Sequence, residues 1–413
     1  NVEISQYPDI PNNEFTRDEI LSMLAKEMLD AAEQLPASQP EVGRIHKYIA
    51  LAYAAKIKLY QAYQQDEITH AVTSINKELL REVVSLCDQV TASNRYGLLD
   101  DFQGLDLVTN ENGKESVFAI QYSMNDGTES AGRINWSNLL NSPGGGSPYG
   151  GDGFFLPSQD LINAYQTDAN GLPDFNYQSK SDYSWAVLNN GVYTLQNTTP
   201  NVDPRLDFVV GRPTITWKTY PDKPCEGWVR DKDTYGYNCA KRFWVSPESS
   251  DMFNGWPWGA SQLNWQIIRY ADILLWKAEA LIELNEGNGL ETARDLINQI
   301  RNRARNSAYV KDFNDHSKYA ANYLVNPYPA DVWNQDYARQ ALRWETRLEK
   351  ALEGERFFDL VRWGIVETTM NNYITAESDN RIYYANAHFT GGKDEYYPVP
   401  NNQYGFSGGK YVQ

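Results

Sequence analysis

The run spanning residues 344–364, WETRLEKALEGERFFDLVRWG, constrains the fold of this chain more than any other stretch. Trp344, Leu348, Ala351 and Leu352 stand at i, i+4, i+7 and i+8, so a helix gathers them on one side. The opposite side is charged. Glu349 and Glu353 lie one turn apart, Glu353 precedes Arg356 by three and Arg356 precedes Asp359 by three, spacings at which opposite charges meet along a helix surface. Gly354 predicts a bend or a helix end, after which Phe357, Phe358, Leu360, Val361 and Trp363 form a second apolar group. Guanidinium groups stack on rings and fork onto carboxylates where water is scarce. Arg343, Arg347, Arg356 and Arg362 among these rings therefore predict a structural lock.

Helical periodicity recurs at both ends of the chain. Residues 1–15, polar with Pro8 and Pro11, read as an extended lead-in. Thr16 and Glu19 form a capping box, and Ile20, Met23, Leu24, Met28 and Ala31 predict the buried face of the helix that follows, as far as Leu35-Pro36. A second helix after Gly43 carries Ile45, Ile49, Ala52, Tyr53, Ile57 and Tyr60, with Ala52 and Ala55 where a neighbour can approach closely. A third, over residues 76–92, carries Leu79, Val83, Leu86, Cys87 and Val90. Helix returns at Ile267 through Ala271, Leu274, Ala278 and Leu281, and residues 292–303 predict its antiparallel partner. Such pairs look like tetratricopeptide hairpins, although no clean repeat of roughly 34 residues lies over them. An ordinary helical bundle is the alternative.

Residues 95–265 have a different texture. Residues 117–120 predict a short strand, 157–165 a short helix, and 167–174 a turn. Residues 142–153, SPGGGSPYGGDG, form a flexible loop without the Lys-Ser/Thr of a phosphate loop, so nucleotide binding is not supported. Long loops kept in a compact chain usually serve function. Trp136, Tyr149, Trp185, Trp217, Trp228, Trp244, Trp256, Trp258 and Trp265 fall here, many beside Asn, Asp, Ser or Gly. A sugar ring has an apolar face and a hydroxyl edge, which a ring platform beside hydrogen-bonding groups satisfies together. Trp136, Tyr149, Trp185, Asn254, Trp256 and Trp258 are the candidate ligand-binding residues, and the set predicts at least one exposed platform.

The anchor run resembles the C-terminal signature of the SusD/RagB family, E-G-x-R-x-x-D-L-x-R-W/x-G, through Glu353, Gly354, Arg356, Asp359, Leu360, Arg362, Trp363 and Gly364. Thr346 and Lys350 depart from the family's usual Arg and apolar residue. Further phrases are similar to the family's: the run from Glu115 to Ile120, Asp203-Pro204-Arg205-Leu206, the helix opening Arg269-Tyr270-Ala271-Asp272, the Asn298 to Arg303 run, and Tyr397-Pro398-Val399-Pro400. The resemblance implies a mainly α fold of tetratricopeptide-like hairpins supporting a loop-rich variable region with short strands. Its parts are a helical 1–94, a ligand-bearing 95–265 and a helical 266–413, integrated as one unit. It further implies capture of oligosaccharides or polysaccharides outside the cell and delivery to a SusC-like, TonB-dependent outer-membrane transporter. The membrane is then reached only by a lipid anchor at an N-terminal cysteine preceding these residues. The RagB side of the family implies oligopeptide capture instead.

Charge and motif bound the rest. A net charge of −17 argues against nucleic acid or an acidic lipid surface, which need a basic face. No apolar run is long enough to span a bilayer. Glycosidases need two carboxylates about 5 to 10 Å apart. Glu345, Glu349 and Glu353 meet that distance on one helix, but helix-surface carboxylates are normally solvated or ion-paired and do not face each other across a cleft. His46, His70, His316 and His388 lack zinc-ligand spacing. Gly405-Phe406-Ser407-Gly408-Gly409 matches G-x-S-x-G, yet no strand leads into it and the acid and His have no room downstream, so it reads as a flexible tail. No catalytic residue, metal or cofactor is expected; a glycoside hydrolase and a helical-repeat adaptor are the rivals from other classes. Cys87 reads as a buried small hydrophobe, while Cys225 and Cys239 are a candidate disulfide contributing about 3 kcal/mol.

Overall fold

The computed structural model describes residues 3–129, 132–141, 144, 146–183, 186–189, 192–195, 200–213, 215–220, 227–236 and 238–412. In chain order the helices are α1 (Arg17–Gln34), α2 (Lys47–Ala62), α3 (Lys77–Ala92), α4 (Gln159–Ala164), α5 (Arg205–Val209), α6 (Lys232–Tyr235), α7 (Tyr270–Leu284), α8 (Gly289–Asn306), α9 (Gln335–Glu349), α10 (Arg356–Arg362), α11 (Val366–Ser378) and α12 (Asn401–Phe406). Their starts follow local chemistry. The Thr16 hydroxyl accepts from the Glu19 amide while Glu19 accepts from the Thr16 amide, and the Asn76 side chain accepts from the amides of Glu78 and Leu79.

The helices stack in series, α1 on α2, α2 on α3, α3 on α7 and α7 on α8, with α9 against both α7 and α8. Alanine permits the close approach: Ala52, Ala54 and Ala55 of α2, Ala271, Ala278 and Ala280 of α7, Ala293 and Ala304 of α8, and Ala338 and Ala341 of α9 are buried. The result is the hairpin architecture expected from the sequence. Leu59, Leu80, Val83, Leu86 and Val90 pack in one core with Ile273, Trp276, Leu360 and Trp363, so both ends of the chain share it. Truncating one of them, Leu80→Ala for example, costs about 2–5 kcal/mol. Residues 95–265 thus enter and leave between two helices that touch. An antiparallel ladder of Ser116–Ile120 with Trp265–Arg269 ties the two ends of that insertion together.

Several segments differ from their periodicity. On α1 the buried residues are Ala25 and Ala32, while Ile20, Met23 and Leu24 are exposed, because the contact with alanine-rich α2 is made through small side chains. Ile45 lies outside α2 and is exposed. Ile267 belongs to a strand, since the β-branched pair Ile267-Ile268 suits extended backbone, and helix begins only at Tyr270. Ile4–Asp9 forms a 3-10 turn where an extended lead-in was expected; Tyr411 Oη donates to the Tyr7 carbonyl and Lys410 pairs with Asp9. The G-x-S-x-G segment is ordered: buried Ser407 donates to the Tyr404 carbonyl and accepts from the Tyr411 amide. Cys87 is buried in α3, which pushes its thiol up to about 12. Cys239 is a buried free thiol, and Cys225 lies outside the described residues.

Candidate ligand-binding face

Beneath the insertion, α9 carries a lattice of charge. Glu345 and Glu349, at i and i+4, share a face of the helix and are fully buried. Arg205 forks onto Asp203 at 3.0 and 2.7 Å and reaches Glu345 at 2.6 Å and Glu349 at 3.3 Å. Arg301 meets Glu345 at 3.1 Å and ties it to the carbonyls of Gly171 and Asn326. Arg269 meets Glu115 at 2.9 Å, Glu349 at 3.0 Å and Glu353 at 2.7 Å; Arg303 joins Glu115 to Glu349, and Arg242 joins Asp106 to Glu353. Burial pushes the Glu349 carboxyl up, but Arg303, Arg269 and Arg205 together hold it down at about 2.

The arrangement replaces the solvated or surface-paired carboxylates expected from the sequence. Glu353 and Arg356 do not pair, nor do Arg356 and Asp359. Glu353 turns to Arg269 and Arg242 instead, and Asp359 to Arg362, because Leu352 at φ +69° and Gly354 at φ +86° swing the chain between α9 and α10. The expected lock forms through Arg343, Arg347 and Arg362, and Arg356 takes no part in it among the described residues. Arg362 pairs with Glu279 and lies over the rings of Tyr60, Tyr63 and Trp363, while Arg343 lies over Trp363.

Above this lattice the insertion builds a pedestal of rings. Tyr149, Trp217, Trp228 and Trp244 are buried together, with Tyr149 5.1 Å from Trp244 and 6.0 Å from Trp217 between centroids. Tyr149 Oη donates to the Val245 carbonyl at 2.7 Å and accepts from Trp217 Nε1 at 2.8 Å. Tyr149 is therefore a core ring, only 1% exposed, and not the platform the sequence placed there. An aromatic beside glycine in a polar loop carries no sign of which side it faces.

The pedestal supports a platform through Gly150. A Cβ on Gly150 would stand 3.3 Å from the Trp258 ring, so that indole lies directly on the glycine backbone. Trp258 belongs to a hairpin-like loop in which Phe253 N–H donates to the Ala260 carbonyl at 2.9 Å and Met252 pairs with Ser261. Ser261 also pairs with Asn135, which fixes Trp136 beside the same loop. Trp136, Trp256 and Trp258 are 44, 62 and 48% exposed, with exposed Asn254 at the loop start. Trp185 lies outside the described residues. Trp265 is half-buried, its ring 4.5 Å from that of Phe243. The sequence reading missed exposed Leu140 and Phe154, which are joined by Phe154 N–H donating to the Leu140 carbonyl at 3.0 Å; the Phe154-Phe155 doublet closing the glycine-rich stretch was the available signal. Next to the loop, burial pushes the Glu111 carboxyl up to about 7, against the amide of Asn264 that donates to it at 2.6 Å.

Frame and face together define a mainly α-helical scaffold of tetratricopeptide-like hairpins that presents a loop-borne aromatic surface. The chain belongs to the SusD family, whose sequence profile matches residues 114–409. Solved structures share the fold. A SusD superfamily protein from Bacteroides vulgatus is 21% identical with a TM-score of 0.63, covering 98% of this chain and 69% of that one. A SusD-like carbohydrate binding protein from Bacteroides fragilis is 19% identical with a TM-score of 0.66, covering 98% and 73%. Surface glycan-binding protein A from Bacteroides uniformis is 16% identical with a TM-score of 0.57, covering 95% and 67%. No curated protein matches the chain significantly. Among the described residues no helix is long and apolar enough to cross a membrane.

Proposed function

We propose that this protein captures glycans at the cell surface and does not cut them. Residues 1–94 and 266–413 serve as the frame, and 95–265 bear the ligand on Trp136, Trp256, Trp258 and Asn254. The observation that carries this reading is the set of three tryptophans left in water on a loop whose underside rests on a packed ring pedestal. Keeping large rings exposed runs against the burial tendency and suits stacking on the apolar face of a sugar. The similar structures include a SusD-like carbohydrate binding protein from Bacteroides fragilis and a surface glycan-binding protein from Bacteroides uniformis, which supports the same ligand class. Glu345 and Glu349 on α9 and Glu353 beyond its end are each engaged by arginine, which leaves none of the three free to exchange protons with a substrate. Family membership supports the remaining steps: a lipid-anchored position on the outer membrane, and delivery of oligosaccharide to a SusC-like, TonB-dependent transporter.

Affinity electrophoresis across a polysaccharide panel tests the proposal. Retarded migration in at least one glycan, lost in Trp256→Ala with Trp258→Ala and without release of reducing ends, is the expected result. Reducing-end release would replace capture by hydrolysis, and binding of peptides with no glycan would replace it by oligopeptide capture.

A further inference from the structure

A cleft of about 440 Å³ opens between α4, α10 and α11, and none of its lining residues belongs to the ring-bearing face. The volume falls within the ~300–1,000 Å³ typical of small-ligand sites. Its walls are largely apolar and include Leu161, Leu352, Phe357, Met370, Tyr373 and Tyr384.

Three cations line it, and two are engaged. Arg347 meets Asp160 at 2.6 Å and donates to Tyr177 Oη at 2.8 Å. Lys350 pairs with Asp272 and with Glu355 at 3.2 Å. Arg356 makes no hydrogen bond and no ion pair with any described residue. Nor is any of its nitrogens sealed away as a buried orphan, so the guanidinium stays open to the cleft. The two carboxylates on the cleft wall are already taken, Asp160 by Arg347 and Asp359 by Arg362. Burial, and then the neighbouring Arg347, bring the Arg356 pKa down to about 9, with Asp359, Tyr177 and Asp160 pulling the other way. The cleft thus holds an unbalanced positive charge among rings and aliphatic groups in a chain of net charge −17.

We propose that this cleft binds a small carboxylic acid, its carboxylate forked onto Arg356 and its body packed against Phe357, Met370 and Tyr373. A planar guanidinium with all its donors free matches a carboxylate by two parallel hydrogen bonds, and an apolar wall selects a body with few hydroxyls. The site is independent of glycan capture on the tryptophan loop.

An aromatic acid and a sugar acid share the required carboxylate, and paired probes separate them. The full chain is titrated calorimetrically with cinnamate and with galacturonate, and with their neutral counterparts cinnamyl alcohol and galactose. Cinnamate should bind at least tenfold tighter than cinnamyl alcohol and tighter than galacturonate; preference for galacturonate would overturn the apolar body and reassign the cleft to a sugar acid. Arg356→Met should weaken that binding at least tenfold, Arg356→Lys should retain part of it, and Trp256→Ala with Trp258→Ala should leave it unchanged. Circular dichroism checks the folding of each variant, and Arg356→Lys carries the test if the Met variant does not fold. Binding of neither acid, equal binding of acid and neutral probe, or binding indifferent to the Arg356 variants overturns the proposal. Such a failure would leave the glycan result standing.

Discussion

The layer under α9 and the surface formed by the tryptophan loop treat water in opposite ways. Under α9, Glu345, Glu349, Arg205, Arg269 and Arg301 are stripped of solvent and matched to one another. On the loop, Trp256 and Trp258 are left in solvent. Residues that ordinarily sit outside thus hold the fold together, and residues that ordinarily sit inside meet the outside. Both choices cost free energy against the default, so each calls for a reason. A buried ion lattice is seldom more stabilising than apolar packing, but it is intolerant of a wrong partner. Drawn from separate stretches that include Asp106, Glu115, Asp203-Arg205, Arg242, Arg269 and Arg301-Arg303, it fixes how the insertion docks on the helical frame.

The strongest way to break the comparison is Glu349→Ala. The substitution leaves Arg303, Arg269 and Arg205 without a shared carboxylate in a sealed site, and about 3–5 kcal/mol of stability should go with it. Urea unfolding measures the loss, and a change below about 1 kcal/mol would show that the lattice does not join the two parts.

Acid unfolding sharpens the same side. The folded pKa of Glu349, about 2, lies below its ordinary value of 4.5, so the unfolded chain binds this proton first. Its contribution is complete above about pH 4.5 and disappears as pH falls through 2. Glu349→Gln should therefore flatten the acid limb of stability against pH by about one proton, ~1.4 kcal/mol per pH unit. An unchanged slope between pH 4.5 and 2 would remove Glu349 from the lattice.

These two regions were unequally legible in the sequence. Helix spacing gave the frame because amphipathic stripes and alanine edges are local signals, and Leu348 and Ala351 are buried as their stripe requires. The pairing of the arginines was not readable: Arg356 and Asp359 have ideal spacing on paper, yet the partners of Glu345, Glu349 and Glu353 come from distant stretches. The ring-bearing face was half legible. Tryptophans beside Asn and Gly mark a loop that meets solvent, and Trp136, Trp256 and Trp258 do so. Trp228 also follows a glycine yet is buried with Trp217 and Trp244, because burial there depends on a pedestal assembled from residues 149–244 that no local window contains.

On the other side of the comparison, Trp256→Ala with Trp258→Ala should separate binding from stability. Losing two stacking rings should weaken glycan retention about tenfold or more, roughly 1.5 kcal/mol. Unfolding should shift by less than about 0.5 kcal/mol per site, as for other exposed positions. A large loss of stability would mean that these rings are structural and that the face is part of the core.

Gly150 sits where pedestal and platform meet, and its substitution gives the smallest and most discriminating effect. At φ +69° an alanine pays a backbone cost of about 1 kcal/mol, and its Cβ would stand 3.3 Å from Trp258 Cγ. The backbone cannot retreat, because the adjacent Tyr149 is held by its hydrogen bonds to Val245 and Trp217. The indole must shift instead, by a few tenths of an ångström. Gly127 supplies the control: at φ +86° it bears the same backbone cost, but nothing lies within 4 Å of its Cβ position. Gly150→Ala and Gly127→Ala should therefore lose similar stability in urea, while only Gly150→Ala weakens glycan retention, and by less than Trp258→Ala does. Equal retention in both variants would mean that the ring's position on the pedestal does not matter to the ligand, and the platform would have to lie on Trp136 and Trp256 alone.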